Sequence, residues 1–261
     1  MSTIKLNNGL VINSDSTVSV AIPAKKSKPK NGYVLYKGKS VLDGAPIVVI
    51  ATMSTTNEKT GNMIQTWIMR EDMSPTEASK EKLDSSVCGM CPHRTSLQGA
   101  CYVTLHQAPL SVYRSYIKGN YKEFDNSDLP AFAGKQIRLG AYGDPAAVPF
   151  EVWQKVLNVT AGNTGYTHQI AHKKFDPRIA TICQISADTE KQAESAWKKG
   201  YKTFRVKTAN MRKLQNEIEC INTTHNVSCE DCGICDGKRA NIVIDVHGSR
   251  SKRFDKFERI I

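Results

Sequence analysis

The chain has 261 residues, eight cysteines and a formal net charge of +11. A chain of this length buries a core without covalent staples. It shows neither an N-terminal signal segment nor an apolar run of about 20 residues, the length a membrane span needs. We therefore expect a cytoplasmic protein with free thiols, and a disulfide framework in a secreted protein is the alternative. The positive charge favours an anionic partner, such as a nucleotide or nucleic acid, and no membrane.

The first 75 residues predict a β-rich region. Residues 46–53 are apolar and β-branched, and 63–69 return after a turn, so we predict an antiparallel hairpin. Weaker strands are expected at 18–22 and 34–36, with a loop at 23–31. Ser74, Pro75 and Glu77 form the pattern of a capping box, which starts a short helix.

Helices and strands alternate along residues 76–261. Helices are expected at 110–117, 149–159 and 189–199, and strands at 136–141, 165–170, 179–185, 201–206, 218–221 and 241–247. Such alternation indicates parallel strands joined by right-handed crossovers. We predict an α/β fold in which this part is a partial, open parallel α/β barrel. The N-terminal hairpin region precedes it, and a cysteine-cluster loop lies near its C-terminus.

Seven of the eight cysteines fall into two groups. The first group is Cys88, Cys91 and Cys101, and the second is Cys220, Cys229, Cys232 and Cys235. Thiolates spaced by two residues can bind one metal ion or cluster together.

The metal that the two groups would bind stays open at this point. A structural zinc site needs four ligands, which the second group supplies by itself and the first supplies with His93. The two-residue gaps of the second group also resemble iron–sulfur ligation. The alternatives are an iron–sulfur cluster in at least one group, zinc in both, or no metal. Cys183 lies in an apolar segment and is expected to be a small buried hydrophobe.

Polar or flexible residues follow the predicted strands, at the ends where a parallel barrel binds its ligands. They include Gly140, Gly143 and Asp144 after one strand, His168 and Gln169 after the next, and Ser186 after a third. Ordinary turn and cap chemistry is the alternative explanation for each of these ends. Their recurrence on one predicted face favours a binding site.

This arrangement resembles the radical S-adenosylmethionine enzymes, which are partial α/β barrels. In that family a three-cysteine loop after the first strand holds a [4Fe–4S] cluster, and a glycine-rich turn after the second strand holds S-adenosylmethionine. The resemblance implies that the first cysteine group ligates the cluster and the second an auxiliary cluster. It also implies cofactor-binding roles for five residues: Gly140, Tyr142, Gly143, Asp144 and Ser186. The cysteine gaps of two and nine residues differ from the family's usual three and two.

The chain also looks similar to uncharacterised phage-encoded proteins that share Cys-Gly-x-Cys-Pro-His-Arg and Gly-Ala-Tyr-Gly-Asp-Pro, which would place it in the host cytoplasm. Two functions follow as hypotheses. The first is a radical-type iron–sulfur enzyme that acts on an anionic substrate through His168, Gln169 and Arg205. The second is a non-catalytic, zinc-stabilised, basic nucleic-acid-binding protein, whose affinity would fall steeply with salt.

Overall fold

The computed structural model describes residues 32–248 and 250–258, together with three short strands that precede them. These are β1 (Ile4–Lys5), β2 (Leu10–Ile12) and β3 (Val18–Val20), which pair antiparallel in a small sheet. The strand predicted at 18–22 is therefore present as β3. The loop predicted at 23–31 lies outside the described residues.

The other strands form one ten-stranded sheet. In chain order they are β4 (Gly32–Lys39), β5 (Pro46–Thr52), β6 (Ile64–Arg70), β7 (Lys122–Glu123), β8 (Gln136–Tyr142), β9 (Gly162–Thr167), β10 (Gln184–Ala187), β11 (Thr203–Lys207), β12 (Glu217–Glu219) and β13 (Asn241–Asp245). Their order across the sheet is β12-β13-β11-β10-β9-β8-β6-β5-β4-β7. The seven strands from β12 to β6 in that order are parallel. The chain is thus an α/β protein with a mostly parallel sheet that does not close.

The predicted hairpin is confirmed, because β5 pairs antiparallel with both β4 and β6. The side chains of Ile47, Val48, Val49 and Ile50 are fully buried, which explains the unbroken apolar run. β6 also pairs in parallel with β8. The sheet therefore continues across the boundary predicted near residue 75.

Eight α-helices connect or flank these strands in the described residues. They are α1 (Pro75–Lys80), α2 (Ser85–Cys88), α3 (Ala108–Ile117), α4 (Phe150–Leu157), α5 (Glu190–Lys198), α6 (Ile221–His225), α7 (Cys229–Cys232) and α8 (Ser251–Glu258). The capping box at Ser74 is present, with its hydroxyl accepting from Glu77 N and the Glu77 carboxylate accepting from Ser74 N. None of the helices in the described part of the chain is long and apolar enough to cross a bilayer.

The strand predicted at 179–185 is wrong in its first half. Residues Pro177–Thr181 form a 3₁₀ helix, which the Asp176 side chain caps by accepting from Arg178 N, and β10 begins only at Gln184. Ile179 and Ile182 are buried in this irregular segment. These apolar side chains are buried although their backbone is not a strand. A short run of buried apolar residues looks the same in the sequence whether it is a strand or a helical turn.

Candidate functional site

A cavity of about 520 Å³ lies over one face of the parallel strands, and all seven grouped cysteines line it. Alternate residues of the strands form its floor, as the two-residue period of a strand requires. These floor residues are Arg138 and Gly140 of β8, Thr164 and Tyr166 of β9, Phe204 and Val206 of β11, and Ile242 and Ile244 of β13. The cavity is mainly apolar with a few polar side chains, as ligand sites usually are.

The loop of the first cysteine group is built around the buried carboxylate of Asp84. Its Oδ1 accepts from Arg94 Nη1 at 3.0 Å and from Ser96 Oγ at 2.6 Å. Cys101 N donates to His93 O at 2.9 Å, which closes the loop. Asp144 N, just past the end of β8, donates to Val87 O at 2.6 Å. Because β6 and β8 are parallel, this bond places the first group at the carboxyl ends of both strands.

Gln169, two residues past the end of β9, clamps the same loop and does not line the cavity. Its Oε1 accepts from Met90 N at 2.9 Å, and its Nε2 donates to Cys88 O at 3.0 Å and to Asp144 Oδ2 at 2.8 Å. A Cβ on Gly89 would lie 2.1 Å from Gln169 Oε1, so the close approach needs glycine there. Gln169 therefore holds the cysteine loop in position, and its substrate contact stays a prediction.

The thiols of Cys88 and Cys101 are largely removed from water. Burial raises the pKa of Cys88 well above its usual value, and the neighbouring Cys91 and Cys101 raise it further. Burial also raises the pKa of Cys101. Without metal these thiols stay protonated near neutral pH, so metal binding must release protons.

The second cysteine group folds back over the sheet face, towards the amino end of β6. Cys220 N donates to Val243 O at 2.9 Å, Cys229 N to Lys59 O at 2.8 Å, and Gly165 N to Cys235 O at 3.1 Å. Burial raises the pKa of Cys235 to about 12, and the pKa of Cys229 is raised for the same reason. Asn62 N also donates to Glu230 Oε2 at 2.7 Å, which ties this group to the turn before β6.

The glycine-rich segment at the end of β8 lines the cavity, and close contacts with neighbouring backbone and strand atoms explain its two glycines. Gly140 and Gly143 have φ of 70° and 84°. A Cβ on Gly140 would lie 2.4 Å from Gly143 O, and one on Gly143 would lie 2.6 Å from Ile68 Cβ. The turn therefore needs glycine for its own conformation, and a ligand approach is not required to explain it.

Asp144 joins the ends of β8 and β9. Its Oδ1 accepts from Ala146 N at 3.0 Å, and its Oδ2 accepts from His168 N at 2.9 Å as well as from Gln169. These bonds occupy three of the about four acceptor sites of a carboxylate. Asp144 thus holds the site together in addition to bordering the cavity beside Tyr142 and Ser186.

Two histidines and one aspartate meet beside the first cysteine group. Asp188 Oδ1 lies 2.8 Å from His93 Nε2, and Asp188 Oδ2 lies 3.7 Å from His168 Nε2. Burial raises the pKa of the Asp188 carboxyl, but the two imidazoles outweigh it and the pKa is lowered. Thr189, the next residue, is the N-cap of α5, so the Asp188 carboxylate is not engaged as that cap.

Neither cysteine group brings three sulfur atoms within 4.8 Å of one another in the described residues. Within the described residues, the only set of three or more potential ligand atoms all within 4.8 Å of one another is His93, His168 and Asp188. A tetrahedral zinc with bonds of about 2.3 Å to sulfur brings its sulfurs closer than this limit. An iron–sulfur cluster takes each thiolate on a separate iron, so its ligand sulfurs lie farther apart than those of one zinc ion.

Arg205 lies outside the cavity lining, so the structure does not bring it together with His168. Its side chain is fully buried, with Nε and Nη2 each 2.6 Å from a carboxylate oxygen of Glu217. Arg138, which sequence reasoning did not single out, is the arginine whose side chain lines the cavity. His168 also lines the cavity, so the structure places one of the three predicted substrate contacts there.

No protein-family model matches the chain, and it matches no curated protein and no solved structure. The resemblance to radical S-adenosylmethionine enzymes and to phage-encoded proteins stays a prediction. The chemistry of the site is therefore argued from the residues of this chain.

Proposed function

We propose that the chain is an iron–sulfur enzyme of the radical S-adenosylmethionine type, in an open α/β barrel, acting on an anionic substrate. One observation carries the proposal: both cysteine groups and the turn after β8 border the same cavity. Two structural zinc sites would have no reason to face a shared, mainly apolar space. A reactive cluster, its cofactor and a substrate need such a space.

In this proposal the first group holds the reactive cluster through Cys88, Cys91 and Cys101. Three protein thiolates leave one iron of a [4Fe–4S] cluster open for the cofactor. Gly140, Tyr142, Gly143, Asp144 and Ser186 border the cavity and would contact S-adenosylmethionine. Together the two groups would supply one-electron chemistry at a carbon atom of the substrate.

The second group would hold an auxiliary cluster through Cys220, Cys229, Cys232 and Cys235. Four thiolates complete the ligation of a cluster, so this one would have no open iron. Its place opposite the first group suits electron transfer or substrate binding.

The protein's own polar residues position the site. Gln169 fixes the backbone on both sides of Gly89, and Asp144 fixes the backbone that carries His168. Asp188 accepts a hydrogen bond from His93 and orients that imidazole in the cavity wall. These contacts hold the loops in place before any substrate enters, which is the preorganisation that catalysis needs.

Metal analysis of anaerobically purified protein tests the proposal. We expect brown protein with iron and acid-labile sulfide, and an electron paramagnetic resonance signal after reduction. A Cys183→Ala variant, which alters a buried cysteine outside both groups, should keep the same iron content. Colourless protein containing zinc alone would refute the enzyme and favour the zinc-stabilised nucleic-acid-binding protein.

A further inference from the structure

Arg138 lies in the middle of β8, between the two cysteine groups. Its Nη2 donates to the hydroxyl of Tyr102 at 2.7 Å, next to Cys101 of the first group. On the other side the guanidinium is close enough to Cys229 of the second group to interact with it electrostatically. Both cysteines line the same cavity as Arg138.

Arg138 lacks the carboxylate that the other shielded arginines have. Arg70 pairs with Asp72 at 2.6 Å, Arg94 with Asp84 at 3.0 Å, and Arg205 with Glu217 at 2.6 Å. In the described part of the chain, no carboxylate oxygen lies within 4.0 Å of the Arg138 guanidinium, and its buried Nε has no hydrogen-bond partner.

A shielded guanidinium without a counter-ion is unfavourable, since arginine stays charged and loses its hydration. As protonated thiols, the neighbouring cysteines carry no charge that offsets this cost, and sulfur is a weak acceptor of hydrogen bonds even when it ligates a metal. The free N–H donors of Arg138 therefore fit an oxygen anion. A planar guanidinium binds phosphate and carboxylate through two parallel bonds, with better geometry than lysine gives.

A ligand can reach this position from solvent. Tyr102, the residue that Arg138 contacts, is 53% exposed. Its ring stacks on His247 with the centroids 5.9 Å apart, so these two rings lie at the edge of the cavity. Lys59 also lines the cavity and adds a second positive charge.

We propose that Arg138 binds an oxyanion of the substrate, a phosphate or carboxylate group, between the two cysteine groups. This inference rests on the proposed function, because it assigns the substrate of that site to small acids and phosphate esters. The anion would place the rest of the substrate between the first cysteine group and the loop of the second. Arg138 takes the role that sequence reasoning gave to Arg205.

Binding of simple anions tests the assignment. Equilibrium dialysis with radiolabelled inorganic phosphate, and separately with acetate, should be run at low salt on anaerobically purified wild type, Arg138→Gln and Arg138→Lys. We expect Arg138→Gln to weaken binding of at least one anion by about tenfold or more, since hydrogen bonds to charged groups are the stronger ones. Arg138→Lys should retain part of the affinity. Arg212→Gln is the matched control and should bind the anions as wild type does, because it removes the same charge from an exposed arginine outside the cavity lining.

Three further readouts separate the outcomes. Thermal melting shows whether each variant is folded, iron content tests the proposed function, and S-adenosylmethionine affinity tests for a cofactor role of Arg138. Wild-type anion binding that Arg138→Gln does not weaken would overturn the inference, even in iron-loaded protein. So would a loss of S-adenosylmethionine affinity with unchanged anion binding. Arg138-dependent anion binding in protein without iron would support the anion site and refute the iron–sulfur enzyme.

Discussion

The two cysteine groups border the same cavity but are held in place by different forces. The loop of the first group contains the buried residues Asp84, Ser86 and Val87, and Gln169, just past the end of β9, clamps it. Between residues 220 and 240, all of which the structure describes, only Gly233 and Gly237 are buried. Buried side chains therefore hold the first loop in place. The second loop is held mainly by hydrogen bonds of its backbone, and its thiols are free to bind a metal.

This difference indicates which group depends on metal for its structure. A segment that buries almost no side chain gains little from the hydrophobic effect and still loses chain entropy on ordering. Ligation of four thiolates would supply the missing free energy for the second group. The first group can keep its shape and leave one metal position open.

The largest expected effect is that of Cys232→Ala. A structural metal site contributes on the order of 10 kcal/mol to folding, while domains are stable by only about 5–15 kcal/mol. We expect this variant to be insoluble, or to melt about 10 °C or more below wild type in differential scanning fluorimetry.

Cys91→Ala is the matched variant of the first group. It should lose the reactive cluster but melt within about 5 °C of wild type, because the Asp84 and Gln169 contacts remain. Equal melting temperatures for the Cys91 and Cys232 variants would show that the two groups do not differ in their structural role.

Arg205→Met should produce the next largest effect. The Arg205–Glu217 pair is fully buried at the start of β12, the strand that leads to Cys220. Removing one partner of such a pair costs about 3–5 kcal/mol, because the other charge stays buried. Chemical denaturation should show this loss, and the double variant Arg205→Met/Glu217→Leu should recover most of it. A single variant as stable as wild type would contradict the structural role of the pair.

Gln169→Ala should act on the first group alone. It leaves Met90 N and Cys88 O without their side-chain partner, at a cost of about 0.5–1.5 kcal/mol for each lost hydrogen bond. We expect faster loss of iron from the first group under a chelator, with the second group retained. Electron paramagnetic resonance of the reduced protein resolves the two groups. Equal loss from both would show that Gln169 does not act selectively on the first loop.

The smallest effect is an alkaline destabilisation of the metal-free protein. Burial raises the pKa of the Cys235 thiol from 9.0 to about 12. A raised folded-state pKa gives stability that is complete below the unfolded pKa and is lost as the pH rises towards 12. The melting temperature of metal-free protein should therefore fall between about pH 9 and pH 11. Metal-loaded protein, whose thiolates carry no proton, should change less over this range, and parallel curves would contradict the ligand role of Cys235.

Sequence patterns predicted the regular parts of the fold well. The β5–β6 hairpin and α4 follow from apolar runs and helical periodicity, and the two cysteine groups follow from spacing alone. The helices of the second group contain only four or five residues, too few for a periodic signal to appear.

The choice between Arg138 and Arg205 shows the limit of pattern reading. Both arginines lie on parallel strands, whose side chains point alternately to the two faces of the sheet. Both faces of such a sheet are packed against other parts of the chain. Alternation then does not reveal which face borders the cavity. The Arg205 side chain binds Glu217 outside the cavity, whereas Arg138 lies on the cavity face together with Cys229. Only the three-dimensional arrangement of β12 and the cysteine loops separates the two.

The bond between Asn62 and Glu230 has a consequence for the order of events during synthesis. It joins residues 168 positions apart, whereas the Gln169 clamp joins Met90 to a residue only 79 positions later. A growing chain can therefore complete the first loop long before the second finds its docking turn, because contacts between distant residues form late. The first group can therefore take up its metal during synthesis, whereas the second is complete only after Glu230 has left the ribosome and docked on the turn before β6.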